Sequence, residues 1–278
     1  MMTEIIKLDT EKNNQRTMDI DVLSTEKILQ KINDEDQLVA SIVAKNIPQI
    51  APLVNQIVDR MQQGGRLFYI GAGTSGRLGV LDAAECPPTY GVDPGLVIGL
   101  IAGGEKAMFI AQEGAEDSLD LAKKDLTDYQ LGDKDTVIGL AASGRTPYVI
   151  GGLQFAREIG ALTGAISCVQ GAEISKFAQY PIEAVTGAEA IMGSTRMKAG
   201  TAQKLILNMI STSVMIKLGK VYKNYMVDLK PSNKKLVIRS KNMIRTLTGV
   251  SEDRAEQLYE ESGHSVKKAL IMEIMNVD

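Results

Sequence analysis

The sequence contains no tryptophan, one histidine and only two cysteines. Because a single imidazole is present, a metal site built from several histidines is excluded. Cys86 and Cys168 also lack the CxxC spacing that is typical of thiolate metal sites and redox pairs. A Ser-His-Asp or Cys-His arrangement would have to use His264, which lies in a charged helical pattern far from any glycine-rich turn. We interpret His264 as a surface or helix-capping residue and expect chemistry that uses no metal.

Charge of one sign is not in excess either. Lys and Arg total 31, Asp and Glu total 34, and the formal net charge is -3. The chain therefore has no broad basic face with which to neutralise a nucleic-acid backbone, and we expect no nucleic-acid partner. The N-terminus has no apolar core of signal-peptide length, and the longest later apolar runs are interrupted by Lys, Asn or Gly. We accordingly expect no membrane partner and a cytoplasmic location.

The sequence does contain enough apolar material for a full core, since 44% of its 278 residues are hydrophobic. From Arg66 onward, five short apolar runs alternate with glycine-rich turns and helical stretches, and each run has the length of a buried strand. The runs are LFYIGAG, LVIGLIAGG, TVIGLAASG, LTGAISC and PIEAVTG. This alternation predicts an α/β fold with a doubly wound, five-stranded parallel sheet. Ligands of such sheets bind beyond the carboxyl ends of the strands, where the glycine-rich turns fall.

We expect three regions along the chain. Residues 1–63 form an N-terminal helical lead-in packed on the main domain, residues 64–231 form the sheet domain, and residues 232–278 form a small helical appendage. Breaks at Gly249 and Gly263 divide the appendage into three segments. A long apolar helix, AQKLILNMISTSVMIKLG, precedes the appendage, and its hydrophobic flanks predict that it lies in the core or in a subunit interface.

The first predicted strand ends in GAGTSG, residues 71–76, which formally satisfies GxGxxG and raises a dinucleotide site as one alternative. That alternative requires an acidic residue at the end of the next strand, about 20 positions further on. Glu105 comes too late and follows two glycines, so no dinucleotide cofactor is expected. Thr74 and Ser75 instead offer two hydroxyls, backbone N–H groups and a helix N-terminus to one anion, which suits a phosphate monoester.

The third predicted strand ends in a second turn of the same kind, AASGRTP. It places the hydroxyls of Ser143 and Thr146 and the permanent cation of Arg145 around a glycine, with Pro147 suited to the first turn of the following helix. The alternative is that such residues are ordinary helix N-caps, a role that Ser and Thr favour. Because two such turns occur at neighbouring strand ends, we predict that both bind one phosphate.

Longer blocks of the sequence carry a family likeness: GAGTSGRLGVLDAAECPPTYG, GLIAGGEKA, QEGAEDS, GLAASGRTPYVI and GSTRMKAGTAQKLILNM. Together with the N-terminal TMDIDVLSTEKILQKINDED, they resemble the N-acetylmuramic acid 6-phosphate etherases from about residue 9 to about residue 275. The resemblance implies a sugar isomerase (SIS) domain, a homodimer, and cleavage of the lactyl ether of N-acetylmuramic acid 6-phosphate to N-acetylglucosamine 6-phosphate and D-lactate, in the catabolism and recycling of cell-wall amino sugars. Family members usually continue with a further helix beyond the position of Asp278.

The resemblance also implies two catalytic residues. The family's general acid falls on Glu85 in DAAECPPT, and its general base falls on Glu116 in EGAEDS. Cleavage of an unactivated ether needs an acid that protonates the leaving oxygen and a base that removes the C2 proton of the open-chain aldehyde. Water then adds to the resulting double bond. We therefore expect a carbon-oxygen lyase of the hydro-lyase type that needs no cofactor.

The local sequence supplies a separate argument for the acidities of the two carboxyls. Glu85 is expected to end a helix just before Pro87 and Pro88, where the negative end of the helix dipole favours the protonated form. Glu116 is expected to precede the helix LDLAKKDL, whose positive end favours the ionised form. A straight helix from Ser75 would carry Glu85 about 15 Å away, so we expect this helix to bend or to end early.

Two other functions stay open. The chain could be a non-catalytic sugar-phosphate-binding regulator, similar to the glucokinase regulatory proteins, which carry two such domains, or an aldose-ketose sugar-phosphate isomerase on the same fold. We also predict a homodimer with the site near the subunit interface, because the helix from Ala202 to Leu218 is too apolar for a solvated face. Lys267 is a candidate for a second phosphate-binding cation from the partner subunit, with a solvated helix face as the alternative.

Overall fold

A computed structural model of the protein describes residues 8–228 and 234–277. Its strands are β1 (Leu67–Gly71), β2 (Val97–Ile101), β3 (Thr136–Leu140), β4 (Leu162–Ser167) and β5 (Tyr180–Glu183). They form one sheet in the order β2-β1-β3-β4-β5, and every neighbouring pair is parallel. The five apolar runs of the sequence supply these five strands one for one.

Helices precede, connect and follow the strands. They are α1 (Thr25–Ala44), α2 (Ile47–Gln62), α3 (Gly73–Tyr90), α4 (Leu121–Asp128), α5 (Pro147–Ile159), α6 (Lys198–Lys217), α7 (Lys234–Thr248), α8 (Glu252–Glu261) and α9 (Val266–Met275). Short 3-10 segments lie at Asp9–Glu11, Ile20–Val22, Glu105–Met108, Glu113–Ala115 and Glu173–Phe177.

The helices cover both faces of the sheet. Neighbouring residues of a strand project from opposite faces. On one face, Tyr69 of β1 lies against α3, where a Cβ on Gly79 would lie 2.9 Å from Tyr69 Cβ. On the other face, Ile70 packs in one cluster with Leu126 of α4 and Leu153 of α5. Burial of each such side chain stabilises the fold by about 1.5 to 3 kcal/mol. The predicted α/β fold with a doubly wound, five-stranded parallel sheet is therefore confirmed.

The chain divides into two compact units. The first comprises the described residues up to Ala84 together with Gly95–Val214, and it contains the five-stranded sheet. The second comprises Glu85–Pro94 together with the described residues from Met215 onward. The division into the three regions predicted from the sequence stays a prediction.

Three helices and a hairpin build the second unit. Its core includes Ile244 of α7, Leu258 of α8 and Ala269 of α9, all of which are buried. The hairpin pairs β6 (Val221–Tyr222) with β7 (Tyr225–Met226) in antiparallel fashion. The three helical segments agree with the sequence pattern, whereas the hairpin was not predicted, because two-residue strands are too short to show a periodicity.

The structure places His264 and Lys267 in the second unit. The side chain of His264 is 58% exposed, and its Nε2 lies 2.9 Å from a carboxylate oxygen of Glu260. His264 is thus a surface residue, as predicted. Lys267 Nζ donates to the carbonyl oxygen of Gly219 at 2.9 Å. Its ammonium therefore binds the backbone of its own chain, and its predicted contact with a partner's phosphate stays a prediction.

The apolar helix predicted near residue 201 is α6. Its fully buried apolar residues are Ile206, Leu207, Ile210, Val214 and Met215. Met209 and Ile216 are partly exposed. The core alternative predicted for this helix is therefore confirmed for most of its apolar residues. Their burial within the chain accounts for the apolar sequence, which no longer argues by itself for a subunit interface.

A buried ion pair joins α1 to the N-terminus of α6. The side chains of Glu35 and Lys198 are 2% and 1% exposed, and Lys198 Nζ lies 2.5 Å from Glu35 Oε2. Arg16 binds both carboxylate oxygens of Glu35, with Nε 2.5 Å from Oε1 and Nη2 2.8 Å from Oε2. The Glu189 carboxylate accepts the N–H groups of Lys198 and Ala199, each at 2.9 Å. Glu189 thereby satisfies two backbone donors in the first turn of α6.

We predict that Glu35→Gln lowers the free energy of unfolding by about 3 to 5 kcal/mol, because it leaves the Lys198 ammonium buried without its counter-charge. The matched control is Glu26→Gln, the same substitution at an exposed position in the first turn of α1. The control should cost less than about 1 kcal/mol, since only an interaction with the helix dipole is lost. Urea unfolding followed by circular dichroism measures both, and equal losses would contradict the role of the buried pair.

The same pair should make stability depend on acid pH. The hydrogen bond from Arg16, aided by that from Lys198, outweighs burial and lowers the pKa of Glu35 to about 2. Such a carboxyl stabilises the fold fully above its unfolded pKa of 4.5 and loses that contribution as the pH falls through about 2. The difference in unfolding free energy between wild type and Glu35→Gln should therefore be constant above pH 4.5 and shrink below it. Burial raises the pKa of Glu189, so this carboxyl changes the stability with pH in the opposite direction. Because Glu189 is present in both proteins, its effect cancels when their unfolding free energies are subtracted. A difference that stays constant down to pH 2 would refute the assignment.

Candidate functional site

A cavity of about 580 Å³ lies at the carboxyl ends of β1 and β3, the edge at which ligands of parallel sheets bind. Five of the six residues that the sequence predicted for the site line it: Thr74, Ser75, Ser143, Thr146 and Glu116. The other lining residues are Glu11, Ala72, Gly73, Asp117, Ala141, Ala142, Arg145, Pro147 and Thr195. The two hydroxyl-bearing turns therefore converge on one cavity, and phosphate binding by them stays a prediction.

The first turn connects β1 to α3 through a single residue, Ala72. Glycines make this short connection possible, because a Cβ on Gly71 would lie 2.8 Å from Gly76 N and a Cβ on Gly76 would lie 2.6 Å from Gly71 O. The N–H of Gly76 donates to Ala72 O. The N–H groups of the first three residues of α3 have no acceptor within the helix. They present the positive end of the helix dipole to an anion at the cavity.

The second turn leads from β3 into α5. Gly144 has a φ of +70°, and a Cβ there would overlap Ala172, so the turn requires glycine. Pro147 occupies the first position of α5, as predicted. Thr146 is the N-cap residue of α5, but its side chain makes no capping hydrogen bond. The helix therefore does not use the Thr146 hydroxyl, which argues against an ordinary capping role at this position.

Arg145 contributes a cation to the cavity. Its side chain is half-buried, and its Nη1 is fully buried without a hydrogen-bond partner among the described residues. Buried donors are normally paired, and an unpaired one is costly. An anion in the cavity would pair this nitrogen, and phosphate oxygens suit a guanidinium group especially well.

Glu116 lines the same cavity from a segment without α-helix that follows β2. Two contacts hold this segment. Arg77 of α3 donates Nε to the carbonyl of Met108 at 3.0 Å and Nη2 to that of Ala107 at 2.8 Å. Further along, the N–H of Tyr148 donates to the carbonyl of Glu116 at 2.9 Å. The second contact fixes the main chain of Glu116 against the first turn of α5.

The helix beside Glu116 is not the one predicted. Helix α4 begins only at Leu121, with Asp120 as its N-cap residue. Glu116 thus lies outside the first turn of α4, beyond which the dipole effect fades. The positive helix end beside Glu116 is that of α5, because the N–H of Tyr148 binds the Glu116 carbonyl there. The helix end that contacts the main chain of Glu116 thus belongs to a helix that is distant in sequence, and the predicted effect of a helix end on its carboxyl stays a prediction.

Of the two alternatives predicted for α3, a bend or an early end, the early end is wrong, and the bend stays a prediction. The helix runs through Pro87 and Pro88 to Tyr90, and the N–H of Gly91 donates to Pro87 O at 2.9 Å. Proline has a φ that suits a helix, but it removes the hydrogen bond to the carbonyl four residues earlier and its ring crowds that carbonyl. Near the end of a helix this loss is tolerable, so the proline pair does not terminate α3.

Glu85 consequently lies inside a helix and not at its C-terminus. Its side chain is exposed, and the residue belongs to the stretch Glu85–Pro94 of the second unit. The argument that a helix C-terminus favours the protonated form of Glu85 therefore fails. The role of Glu85 as an acid rests on the motif DAAECPPT alone.

Three polar residues of the cavity were not predicted: Glu11, Asp117 and Thr195. Asp117 and Thr195 belong to the blocks QEGAEDS and GSTRMKAGT, so the sequence likeness could have indicated both. Glu11 comes from the segment before α1 and carries no glycine-turn signal. That segment is held by tertiary contacts, among them the Thr17 hydroxyl, which donates to Ala190 O at 2.8 Å.

Within residues 8–228 and 234–277, no group of three or more His, Cys, Asp or Glu side chains is arranged to hold a metal ion. Over the same residues, no helix combines the length and the apolarity needed to cross a membrane. The groups at the cavity are hydroxyls, backbone N–H groups, a guanidinium and carboxylates. Together they can bind an anion and transfer a proton.

Two family models match the chain. The model of the glucokinase regulatory protein N-terminal SIS domain matches residues 49–157, and that of the C-terminal lid domain of glucokinase regulatory protein matches residues 223–277. The first match spans both turns of the cavity and Glu116. The second spans α7, α8 and α9.

Curated relatives match over nearly the whole chain. An N-acetylmuramic acid 6-phosphate etherase of Clostridium botulinum (strain Eklund 17B / Type B) is 61% identical over 99% of this chain and 91% of that protein. The protein of the same name from Halalkalibacterium halodurans is 59% identical over 95% of this chain and 89% of that protein. Among solved structures, a phosphoheptose isomerase from Francisella tularensis has a TM-score of 0.52 at 13% identity, over 70% of this chain and 100% of that chain. The structural likeness shows a shared fold.

We predict that Arg145→Met weakens the binding of inorganic phosphate about tenfold to a hundredfold, because a hydrogen bond to a charged group is worth about 1.5 to 3 kcal/mol. Protection by phosphate against thermal unfolding measures the affinity. The matched control is Arg157→Met on α5, the helix that follows Arg145, where the exposed guanidinium donates to Lys176 O. The control should keep the wild-type affinity, and an equal loss in both variants would count against a phosphate at Arg145.

Proposed function

This chain belongs to the family of N-acetylmuramic acid 6-phosphate etherases, and from that membership we propose that it acts as a lyase on this sugar phosphate. It releases D-lactate and leaves N-acetylglucosamine 6-phosphate, by elimination of the lactyl group and addition of water. The observation that carries the proposal is one cavity that combines two hydroxyl-bearing turns, a carboxylate, and a guanidinium nitrogen that has no partner among the described residues. The two turns and the guanidinium group suit a phosphate. The carboxylate suits proton transfer.

The two turns bind the phosphate monoester. Thr74 and Ser75 offer hydroxyls beside the free N–H groups of the first turn of α3, and Ser143 and Thr146 offer hydroxyls beside Arg145. A helix N-terminus and a guanidinium group both favour a dianion over a neutral sugar. The sugar then extends from this anchor along the cavity that Glu116 also lines.

Elimination requires a base at C2 of the sugar. Opening of the pyranose produces an aldehyde at C1, which makes the C2 proton acidic. We assign the base to Glu116, which lines the cavity and whose main-chain carbonyl accepts the N–H of Tyr148 in the first turn of α5. Glu116 takes the C2 proton, the electron pair forms the C2–C3 double bond, and the bond from C3 to the lactyl oxygen breaks. Water then delivers a hydroxyl to C3 and a proton to C2, without a metal or an organic cofactor.

Departure of the lactyl oxygen requires an acid, because an alkoxide is a poor leaving group. We assign this acid to Glu85, which donates its proton to the C3 oxygen as the bond breaks. The support for Glu85 is the family motif and the need for a second carboxyl of opposite protonation state.

A non-catalytic sugar-phosphate-binding regulator is the second candidate, because both matching family models are named after glucokinase regulatory protein. An aldose-ketose isomerase is the third, since a phosphoheptose isomerase shares the fold.

All three functions include phosphate binding, so phosphate binding does not separate them. A coupled assay for D-lactate released from N-acetylmuramic acid 6-phosphate does. A folded, phosphate-binding protein that releases no lactate would contradict the lyase.

We further propose that the enzyme is a cytoplasmic homodimer with its site near the subunit interface, and that it serves the catabolism and recycling of cell-wall amino sugars. The family likeness supports this proposal, and closed dimers are the commonest assemblies of soluble proteins. Light scattering at the assay concentration tests the oligomeric state. A fully active monomer would contradict it.

The roles of the two glutamates separate in heavy water. Glu116→Gln should abolish both lactate release and exchange of the C2 proton for deuterium, because the base is lost. Glu85→Gln should block lactate release while C2 exchange persists, because Glu116 can still take and return the proton. Each loss should reduce the affected rate by about 10² to 10⁴. Proton NMR of the sugar and the lactate assay give the ratio of exchange to cleavage.

The matched control is Glu105→Gln, the same substitution at an exposed residue of the segment that carries Glu116. It should retain both exchange and cleavage. Because a protein that does not bind substrate would also lose both reactions, the phosphate affinity of each variant is measured in parallel. Lactate release by Glu85→Gln at the wild-type rate, or C2 exchange by Glu116→Gln, would refute the respective assignment.

A further inference from the structure

Helix α6 packs closely against the first turn of α3. A Cβ on Gly200 would lie 3.5 Å from Thr74 Cγ2. Gln203, about one turn further along α6, is only 1% exposed, and Ser75 is 8% exposed. The Ser75 hydroxyl donates to Gln203 Oε1 at 2.9 Å. Because Ser75 also lines the cavity, the two side chains form a buried polar pair that touches the cavity through Ser75.

In this arrangement the Ser75 hydroxyl is not available to a phosphate. A hydroxyl has one proton, and Ser75 gives it to Gln203 Oε1. A phosphate dianion accepts hydrogen bonds, so it needs that proton. At the same time Gln203 Nε2 is buried and has no hydrogen-bond partner in the described part of the chain. A buried amide nitrogen without an acceptor is costly.

We propose that Gln203 is a positioning residue, which directs the Ser75 hydroxyl toward the phosphate of the substrate. Rotation of the Gln203 amide by half a turn exchanges Nε2 and Oε1. Nε2 then donates to Ser75 Oγ, and the Ser75 proton is free to bind the phosphate. The rotation pairs one amide donor and creates a charge-assisted hydrogen bond to the ligand. This inference rests on the proposed phosphate site and extends it to a residue outside the cavity lining.

The rotation is favourable only when the ligand accepts a strong hydrogen bond from Ser75. Gln203 should therefore favour phosphorylated sugars over free sugars. The phosphate is bound in both the ground state and the transition state, so the contribution should appear in KM and leave kcat nearly unchanged. If Gln203 only packed α6 against α3, the effect of its substitution would not depend on the Ser75 hydroxyl.

A double-mutant cycle between Gln203 and Ser75 tests the proposal. Gln203→Met keeps the length of the side chain and removes both polar atoms. We expect it to raise KM for N-acetylmuramic acid 6-phosphate, and the inhibition constant of inorganic phosphate, about threefold to thirtyfold. In a Ser75→Ala background it should cause no further rise. The matched control is Gln179→Met, whose Oε1 accepts the N–H of Thr163 at 3.1 Å and which should leave KM unchanged.

A second variant, Gln203→Glu, covers the case in which Gln203→Met does not fold. Its carboxylate keeps the shape and accepts the Ser75 proton but cannot donate, so it should raise KM at least as much as Gln203→Met. If Gln203→Met raises KM by the same factor with and without the Ser75 hydroxyl, the residue acts through packing. That result overturns the inference and leaves the proposed function intact. If Ser75→Ala alone changes neither KM nor phosphate inhibition, the phosphate site of the proposed function fails, and the inference fails with it.

Discussion

The buried ion pair between Glu35 and Lys198 determines where α6 begins, and the cavity depends on that position. Glu189 caps the same helix end, so a shift of α6 by one turn would unpair a buried ammonium and two backbone donors. Because α6 begins at Lys198, its next turn places Gly200 and Gln203 against the first turn of α3. A contact made by α1 thus helps to position the residues around the cavity at the carboxyl ends of the strands.

The sheet and the two turns could be predicted from the sequence because local pattern and topology agree there. Each strand is a short apolar run, glycine-rich turns follow β1, β2 and β3, and parallel strands place all their carboxyl ends at one edge. The turns at residues 71–76 and 141–147 therefore had to converge, whatever the details of side-chain packing. What could not be predicted is the environment of each group, such as the burial of Arg145 Nη1, which has no hydrogen-bond partner in the described part of the chain.

The errors concern features that tertiary contacts decide. The pair Pro87–Pro88 is typical of a helix end, yet the last turn of α3 continues through it. The sequence also predicted that the N-terminus of the next helix along the chain, α4, lies beside Glu116. In the structure the helix that contacts the main chain of Glu116 is α5, through Tyr148, which the sequence separates from Glu116 by the whole of α4 and β3. Proximity in space is not encoded in a local motif.

The segment that carries Glu116 is held at its two ends, by Arg77 on the carbonyls of Ala107 and Met108 and by α5 on Glu116 itself. Between these contacts, Phe109 and Ile110 are 91% and 68% exposed. Substitutions of these two exposed side chains should therefore leave the main chain of Glu116 in place. The stretch between Met108 and Glu116 should therefore tolerate an inserted spectroscopic label, because exposed loop residues tolerate insertions.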